Sequence, residues 1–183
     1  MVDPEDGTYA ADKASQFIKY DFINHKNNHL HATNIINILN EKKIAVNGCV
    51  TFWEDCGPLA ATICDLLGLH GPGQQAADIA KMKSHTHDVL RTRTGDIPHF
   101  PRTYLYSGKC YKIESEADID LAIDHVGVPS VLKLEYGTSA IGVKPIRDRI
   151  YCTEQYRQIK SSLRTEKDHP GIGPFTDGIY SWN

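Results

Sequence analysis

The stretch VLKLEYGTSAIGV, residues 131–143, decides the fold of the second half of this 183-residue chain. Apolar and β-branched residues flank a turn of small residues, a pattern that predicts two strands, residues 130–135 and 140–146, with a short connection. A nucleotide triphosphate needs closely spaced backbone N–H donors and nearby positive charge. Lys133 would supply the charge, and the donors would come from small residues, namely Gly137, Thr138, Ser139, Ala140 and Gly142. Taken alone, the same hairpin is more often ordinary turn chemistry.

Two common phosphate-binding fingerprints are missing from the sequence. No G-x-x-x-x-G-K-[ST] motif precedes a helix, and no G-x-G-x-x-G follows the first predicted strand. The first absence excludes a P-loop, and the second leaves a dinucleotide-binding Rossmann domain without its fingerprint.

The segment before the hairpin carries a second lysine at a helix start. Residues 74–91 predict a helix with a break near Lys83 and Ser84. The proline-bearing DIPHFP, residues 96–101, predicts an extended connection into a strand at 102–106. Arg91 and Arg93 either support phosphate binding or form a solvated last helical turn.

A further helix is predicted between this strand and the hairpin. Ser115 and Asp118 have the spacing of a capping box, and Gly127 follows the last apolar position. The apolar stripe between them consists of Ile119, Ala122, Ile123 and Val126. A last helix is expected near residues 153–163, followed by an irregular tail.

The first part of the chain predicts a helix-strand-helix unit of an open α/β sheet. Residues 31–40 carry an apolar stripe, residues 44–53 (IAVNGCVTFW) read as a buried strand, and Gly68 ends a second helix. The stripe consists of Ala32, Ile35, Ile36 and Leu39, and the second helix places Leu59, Ile63, Leu66 and Leu67 on one face. Glu54 and Asp55 either cap that second helix or sit at a ligand site. Because HGPG at 70–73 is the clearest turn signal in the chain, we place a boundary between two lobes, residues 1–74 and residues 75–183.

Composition narrows the class of protein. A formal charge of −3 and a pI near 6.3 give no basic field, so nucleic acid and anionic membranes are not expected partners. The five irregularly spaced cysteines suggest reduced, packed thiols, and no leader or membrane span is recognised, so we expect a cytoplasmic protein. His85 and His87 could be a metal pair, but two residues apart on a helix they favour a surface pair.

The order of these parts resembles the ATP-grasp family of ligases. The resemblance rests on Lys83 at a helix start, the proline-marked connection, a strand, a helix, and PSVLK at 129–133 with its loop. It implies a Rossmann-like pre-ATP-grasp open sheet in residues 1–74, followed by the N-terminal α+β subdomain of an ATP-grasp fold in 75–183, truncated. It also implies that Lys83 and Lys133 bind ATP phosphates and that the loop of Gly137, Thr138, Ser139, Ala140 and Gly142 closes over them. Glu135 could orient Lys133, approach the nucleotide, or be a solvated or paired surface charge.

Within that superfamily, six short segments in order are similar to the carnosine synthase family. They are CVTFWEDC (49–56), LLGL (66–69), AKMKS (80–84), ESEAD (114–118), LKLE (132–135) and DHPGIG (168–173). This resemblance implies an ADP-forming ligation of β-alanine to L-histidine through an acyl phosphate, with homo-oligomers formed by the full-length protein. It also implies Mg²⁺ or Mn²⁺ on late carboxylates and an asparagine, which have no counterpart here. We therefore expect a fragment without catalytic or metal residues of its own, or a non-catalytic nucleotide-binding or interaction module.

Overall fold

The computed structural model describes residues 1–5, 11–92, 109–135, 140, 142–165 and 177–181. The chain forms two compact units, Met1–Asp78 and Ile79–Asn183. The predicted connection at 96–101 and strand at 102–106 lie outside the described residues. No helix within the described ranges is both long and apolar enough to span a bilayer.

Two helices form the core of the first unit. They are α1 (Asn28–Glu41) and α2 (Gly57–Leu67), which contact each other, while β1 (Val2–Asp3) and β2 (Ile18–Lys19) pair in parallel. The predicted stripe of α1 is confirmed at Ala32 and Ile35, which are buried. They pack in a cluster with Phe22, Cys56, Leu59 and Ile63. Gly68 ends α2 at φ 63°, the left-handed conformation that favours glycine, as predicted.

The strand predicted at residues 44–53 is wrong. This segment contains no strand, and Val50 and Phe52 are 77% and 100% exposed, whereas Trp53 and Cys49 pack against the cluster. Leu66, assigned to the buried face of α2, is also exposed. A strand forms only where a neighbouring backbone completes its hydrogen-bond ladder, and β propensity alone does not provide that neighbour.

A four-stranded antiparallel sheet organises the second unit. Its strands, in spatial order, are β3 (Cys110–Ile113), β6 (Asp177–Ser181), β4 (Ser130–Leu134) and β5 (Lys144–Ile146). The hairpin predicted from residues 131–143 is confirmed, because Ser130 pairs with Ile146 and Leu132 with Lys144. The prediction of an irregular tail is wrong for β6, which lies between β3 and β4 and pairs with both.

Four helices precede or separate these strands in the chain, and the last three of them contact the sheet. Around the predicted break, α3 is Gln74–Lys81 and α4 is Lys83–Thr92; α5 is Ile119–Val126 and α6 is Arg149–Thr165. The capping box of Ser115 and Asp118 is present, and Gly127 ends α5 at φ 90°, so both predictions are confirmed. The apolar core lies where α5 and α6 meet the strands and includes Ile113, Ile119, Ala122, Ile123, Leu132, Leu134, Ile146, Cys152 and Tyr156.

Candidate functional site

The start of α4 and the end of β4 meet at Lys83 and Glu135. The backbone N–H of Lys83 donates to the carbonyl oxygen of Glu135 at 3.4 Å, and the Lys83 ammonium Nζ donates to the same oxygen at 3.4 Å. The first turn of a helix has N–H groups without intrahelical acceptors, so an acceptor from a neighbouring strand satisfies one of them. The fold therefore joins two sequence positions, 52 residues apart, that were predicted to serve one site.

Glu135 is held by Ser84. The Glu135 carboxylate is fully buried, and its Oε1 accepts from the Ser84 N–H at 2.8 Å and from the Ser84 hydroxyl at 2.7 Å. A carboxylate at a helix N-terminus is stabilised by the helix dipole as well as by these bonds. The interpretation of Glu135 as a solvated surface charge is therefore wrong. Ser84 was not selected as a site residue from sequence, although serine near a helix start is a common donor or cap.

Lys133 lies on β4, two residues before Glu135. Glu135 is the turn residue that directly follows Leu134, the last residue of β4, so it lies close to Lys133 along the chain. The charge of Lys133 reaches α4, because the pKa of His87 is lowered first by burial and second by Lys133. Lys83 and His87 are four residues apart and share one face of α4. The two predicted phosphate lysines are thus on adjoining elements around Glu135.

The predicted phosphate loop is described only at its far end. Gly137, Thr138 and Ser139 lie outside the described residues. Ala140 and Gly142 have φ values of 60° and 70°, and the Val143 N–H donates to the Ala140 carbonyl at 3.2 Å. A Cβ on Gly142 would lie 2.8 Å from Cγ of Leu134, so only glycine allows this approach. Gly142 therefore packs tightly against Leu134, the residue before Glu135.

A groove of about 480 Å³ lies between α4 and β3. It is lined by Ser84, His85, Asp88, Arg91, Cys110, Tyr111, Lys112, Glu114 and Asp118. Its charges are paired with each other: Arg91 contacts Asp88 at 2.7 Å, and Lys112 contacts Glu114 at 3.2 Å. Asp118 accepts hydrogen bonds in the capping box. These pairings give the groove no charge that requires a ligand.

The other side chains that the sequence suggested as possible ligands are in ordinary structural contacts wherever the structure describes them. Arg91, considered for phosphate support, pairs with Asp88 on its own helix, and Arg93 lies outside the described residues. Asp55 is buried in a short 3₁₀ turn, and Cys56 rather than Asp55 holds the N-cap position of α2. The five cysteines all lie within the described ranges, and none of them is in a disulfide.

The described residues do not fit a resident Mg²⁺ ion. A hard divalent cation takes several oxygen ligands at once. Within the described part of the chain, no group of three or more His, Cys, Asp or Glu residues could hold a metal ion.

Known proteins resemble this chain in sequence and in fold. No family model matches it. It is 35% identical over 173 residues to carnosine synthase 1 of Mus musculus. This alignment covers 94% of this chain and 21% of that protein. The chain is 29% identical over 105 residues to alanine–anticapsin ligase of Bacillus subtilis strain 168, covering 57% of this chain and 20% of that protein.

A solved structure matches in fold. The crystal structure of L-amino acid ligase from Bacillus licheniformis superposes with a TM-score of 0.60 over 84% of this chain and 33% of that one, at 16% identity. This superposition confirms the predicted fold class, because the α/β chain has the fold of part of that ligase. The chain spans about one fifth of the length of the curated relatives it matches.

Proposed function

Because this chain is homologous to about one fifth of carnosine synthase and has an ATP-grasp fold, we propose that it is the ATP-phosphate-binding part of a carboxylate–amine ligase. The observation that supports this proposal is the meeting of the α4 start with the β4 end, which brings Lys83 and Lys133 onto adjoining elements. Residues 1–74 would be the pre-ATP-grasp lobe and residues 75–183 the N-terminal ATP-grasp subdomain, in a cytoplasmic protein.

The reaction of the whole enzyme would proceed in two steps. A carboxylate oxygen of β-alanine attacks the γ-phosphorus of ATP, ADP leaves, and an acyl phosphate forms. The amine of L-histidine then attacks the acyl carbon, inorganic phosphate leaves, and an amide forms. Mg²⁺, held elsewhere in the whole enzyme, would neutralise phosphate charge. In the full-length form the enzyme would act as a homo-oligomer.

The contribution of this chain would be positioning and neutralisation of charge. The ammonium groups of Lys83 and Lys133 would contact the phosphates, and the backbone of Gly137, Thr138, Ser139, Ala140 and Gly142 would donate to them. The Lys83 and Ser84 amides at the start of α4 already bind Glu135. Phosphate contacts in this site would therefore come from the lysine side chains and the loop rather than from the helix terminus.

The alternative function is a non-catalytic nucleotide-binding or interaction module. A ligase part and a nucleotide-binding module both place ATP on the same two lysines, so nucleotide binding supports either one, whereas an interaction module would not require it. Release of ADP that depends on β-alanine and histidine, assayed on the whole protein rather than on this chain, would separate the ligase from the module.

Thermal unfolding with ATP tests the proposed site. A ligand present at about 100 times its dissociation constant and bound only to the folded state adds about 2.7 kcal/mol, a Tm increase of roughly 5–10 °C at this chain length. We expect this increase in the parent chain and its loss in the Lys83→Ala, Lys133→Ala double variant. The control is Lys109→Ala with Lys160→Ala, which removes the same charge elsewhere in the second unit. An equal ATP response in the parent and the site double variant would contradict the proposal.

A further inference from the structure

The contact between Ser84 and Glu135 is buried and lies near both predicted phosphate lysines in the chain. Ser84 is 9% exposed and Glu135 is 0% exposed, and Ser84 directs both of its donors to one oxygen, Oε1. Hydrogen bonds to a charged acceptor are about twice as strong as neutral ones. This pair therefore fixes the carboxylate in one orientation.

The two residues lie close to the lysines in sequence. Ser84 directly follows Lys83 in α4, and Glu135 is two residues after Lys133, in the turn that follows β4. A shift of α4 along β4 would move Lys83 relative to Lys133, because each lysine is fixed to its own element. The bonds from Ser84 oppose that shift at the point where the elements meet.

The Glu135 carboxylate is poorly suited to contact ATP itself. Its negative charge would repel a triphosphate, and its Oε1 already accepts two hydrogen bonds. Its full burial also separates it from a solvated ligand. The geometry favours an indirect role for this side chain.

We propose that Ser84 is a positioning residue for ATP, which acts through Glu135 to hold Lys83 and Lys133 at the spacing that a triphosphate requires. This inference rests on the proposed function. Holding both ammonium groups in place before binding lowers the ordering cost of the complex. The Ser84 hydroxyl therefore contributes to triphosphate affinity without touching the nucleotide.

Variants of Ser84 separate the proposed positioning role from an effect on the overall stability of the protein. Ser84→Ala removes the hydroxyl donor and keeps the backbone N–H bond, whereas Ser84→Thr retains a hydroxyl. The matched control is Ser162→Ala, which removes an exposed serine hydroxyl from α6 in the same unit. Lys133→Ala reports on the phosphate site itself.

Calorimetric titration of the full chain with ATP, tripolyphosphate and adenosine tests the proposal. We expect Ser84→Ala to weaken ATP and tripolyphosphate binding about tenfold, the equivalent of one charge-assisted hydrogen bond, with adenosine affinity unchanged. Ser84→Thr should restore the affinity, and Ser162→Ala should match the parent. A nonspecific loss of stability would not discriminate between tripolyphosphate and adenosine.

The outcomes distinguish this inference from the proposed function. If Lys133→Ala weakens ATP binding and Ser84→Ala does not, the positioning role is refuted and the phosphate site stands. An equal loss of ATP and adenosine affinity in Ser84→Ala also refutes it. If the parent chain binds neither ATP nor tripolyphosphate, the proposed function fails and the inference fails with it.

Discussion

Gly142→Ala tests how closely the end of the candidate loop packs on the sheet. Gly142 has φ 70°, and an added Cβ would lie 2.8 Å from Cγ and 3.0 Å from Cδ1 of Leu134. Leu134 is 3% exposed and packs in the core of the second unit, so its branch point has little room to move. The substitution therefore combines backbone strain with a steric clash.

The expected loss of unfolding free energy follows from these two effects. A left-handed alanine costs about 1–2 kcal/mol, and over-packing of a filled core costs about 1–3 kcal/mol. Lower chain entropy in the unfolded state offsets about 0.4–1 kcal/mol. We expect a net destabilisation of about 2–3 kcal/mol, measured by urea unfolding.

Two controls separate strain from clash. Gly68 has φ 63° with nothing within 4 Å of its Cβ position, so Gly68→Ala reports backbone strain alone. In a Leu134→Ala background the clashing atoms are gone, and Gly142→Ala should then cost about 1–2 kcal/mol less than in the parent. If Gly142→Ala costs the same in both backgrounds, the contact with Leu134 does not limit this position and our reasoning is refuted.

Two further predictions concern titrating side chains. Burial, and after it the charge of Lys133, lowers the pKa of His87 below its ordinary value of 6.5. The stability that neutral His87 contributes is therefore present above pH 6.5 and is lost as pH falls through the lowered pKa. His87→Gln should reduce the fall in Tm over that range, and an unchanged pH profile would contradict this prediction. Burial raises the pKa of Cys152 from 9.0 to about 11, so stability present below pH 9 is lost as pH rises through 11. Cys152→Ala should flatten the alkaline fall in urea unfolding free energy, whereas a fall as steep as the parent's would show that this thiol is not its source.

Local signals in the sequence determined several elements correctly. The capping box of Ser115 and Asp118 and the stop at Gly127 depend on residues within one helix length, so α5 could be predicted without knowledge of its neighbours. The hairpin of β4 and β5 is also local, because a short connection makes adjacent strands pair. The candidate lysines followed from the same segments together with the family resemblance.

The sequence did not determine which distant segments pair as strands. Residues 44–53 have strand-like composition and no strand, whereas residues 177–181 gave no clear signal and form a strand between two others. In both cases the outcome depends on whether a distant segment offers hydrogen-bond partners at the right place.

The sequence by itself, through its patterns and its family resemblance, indicated Lys83 and Lys133 as candidate phosphate ligands, and tertiary structure determined which contacts join the segments that carry them. The Ser84 bonds to buried Glu135 join positions 51 residues apart. Periodicity and capping describe contacts within a few residues of one another. A hydrogen bond between a helix start and a strand end exists only once the chain has folded both to the same place.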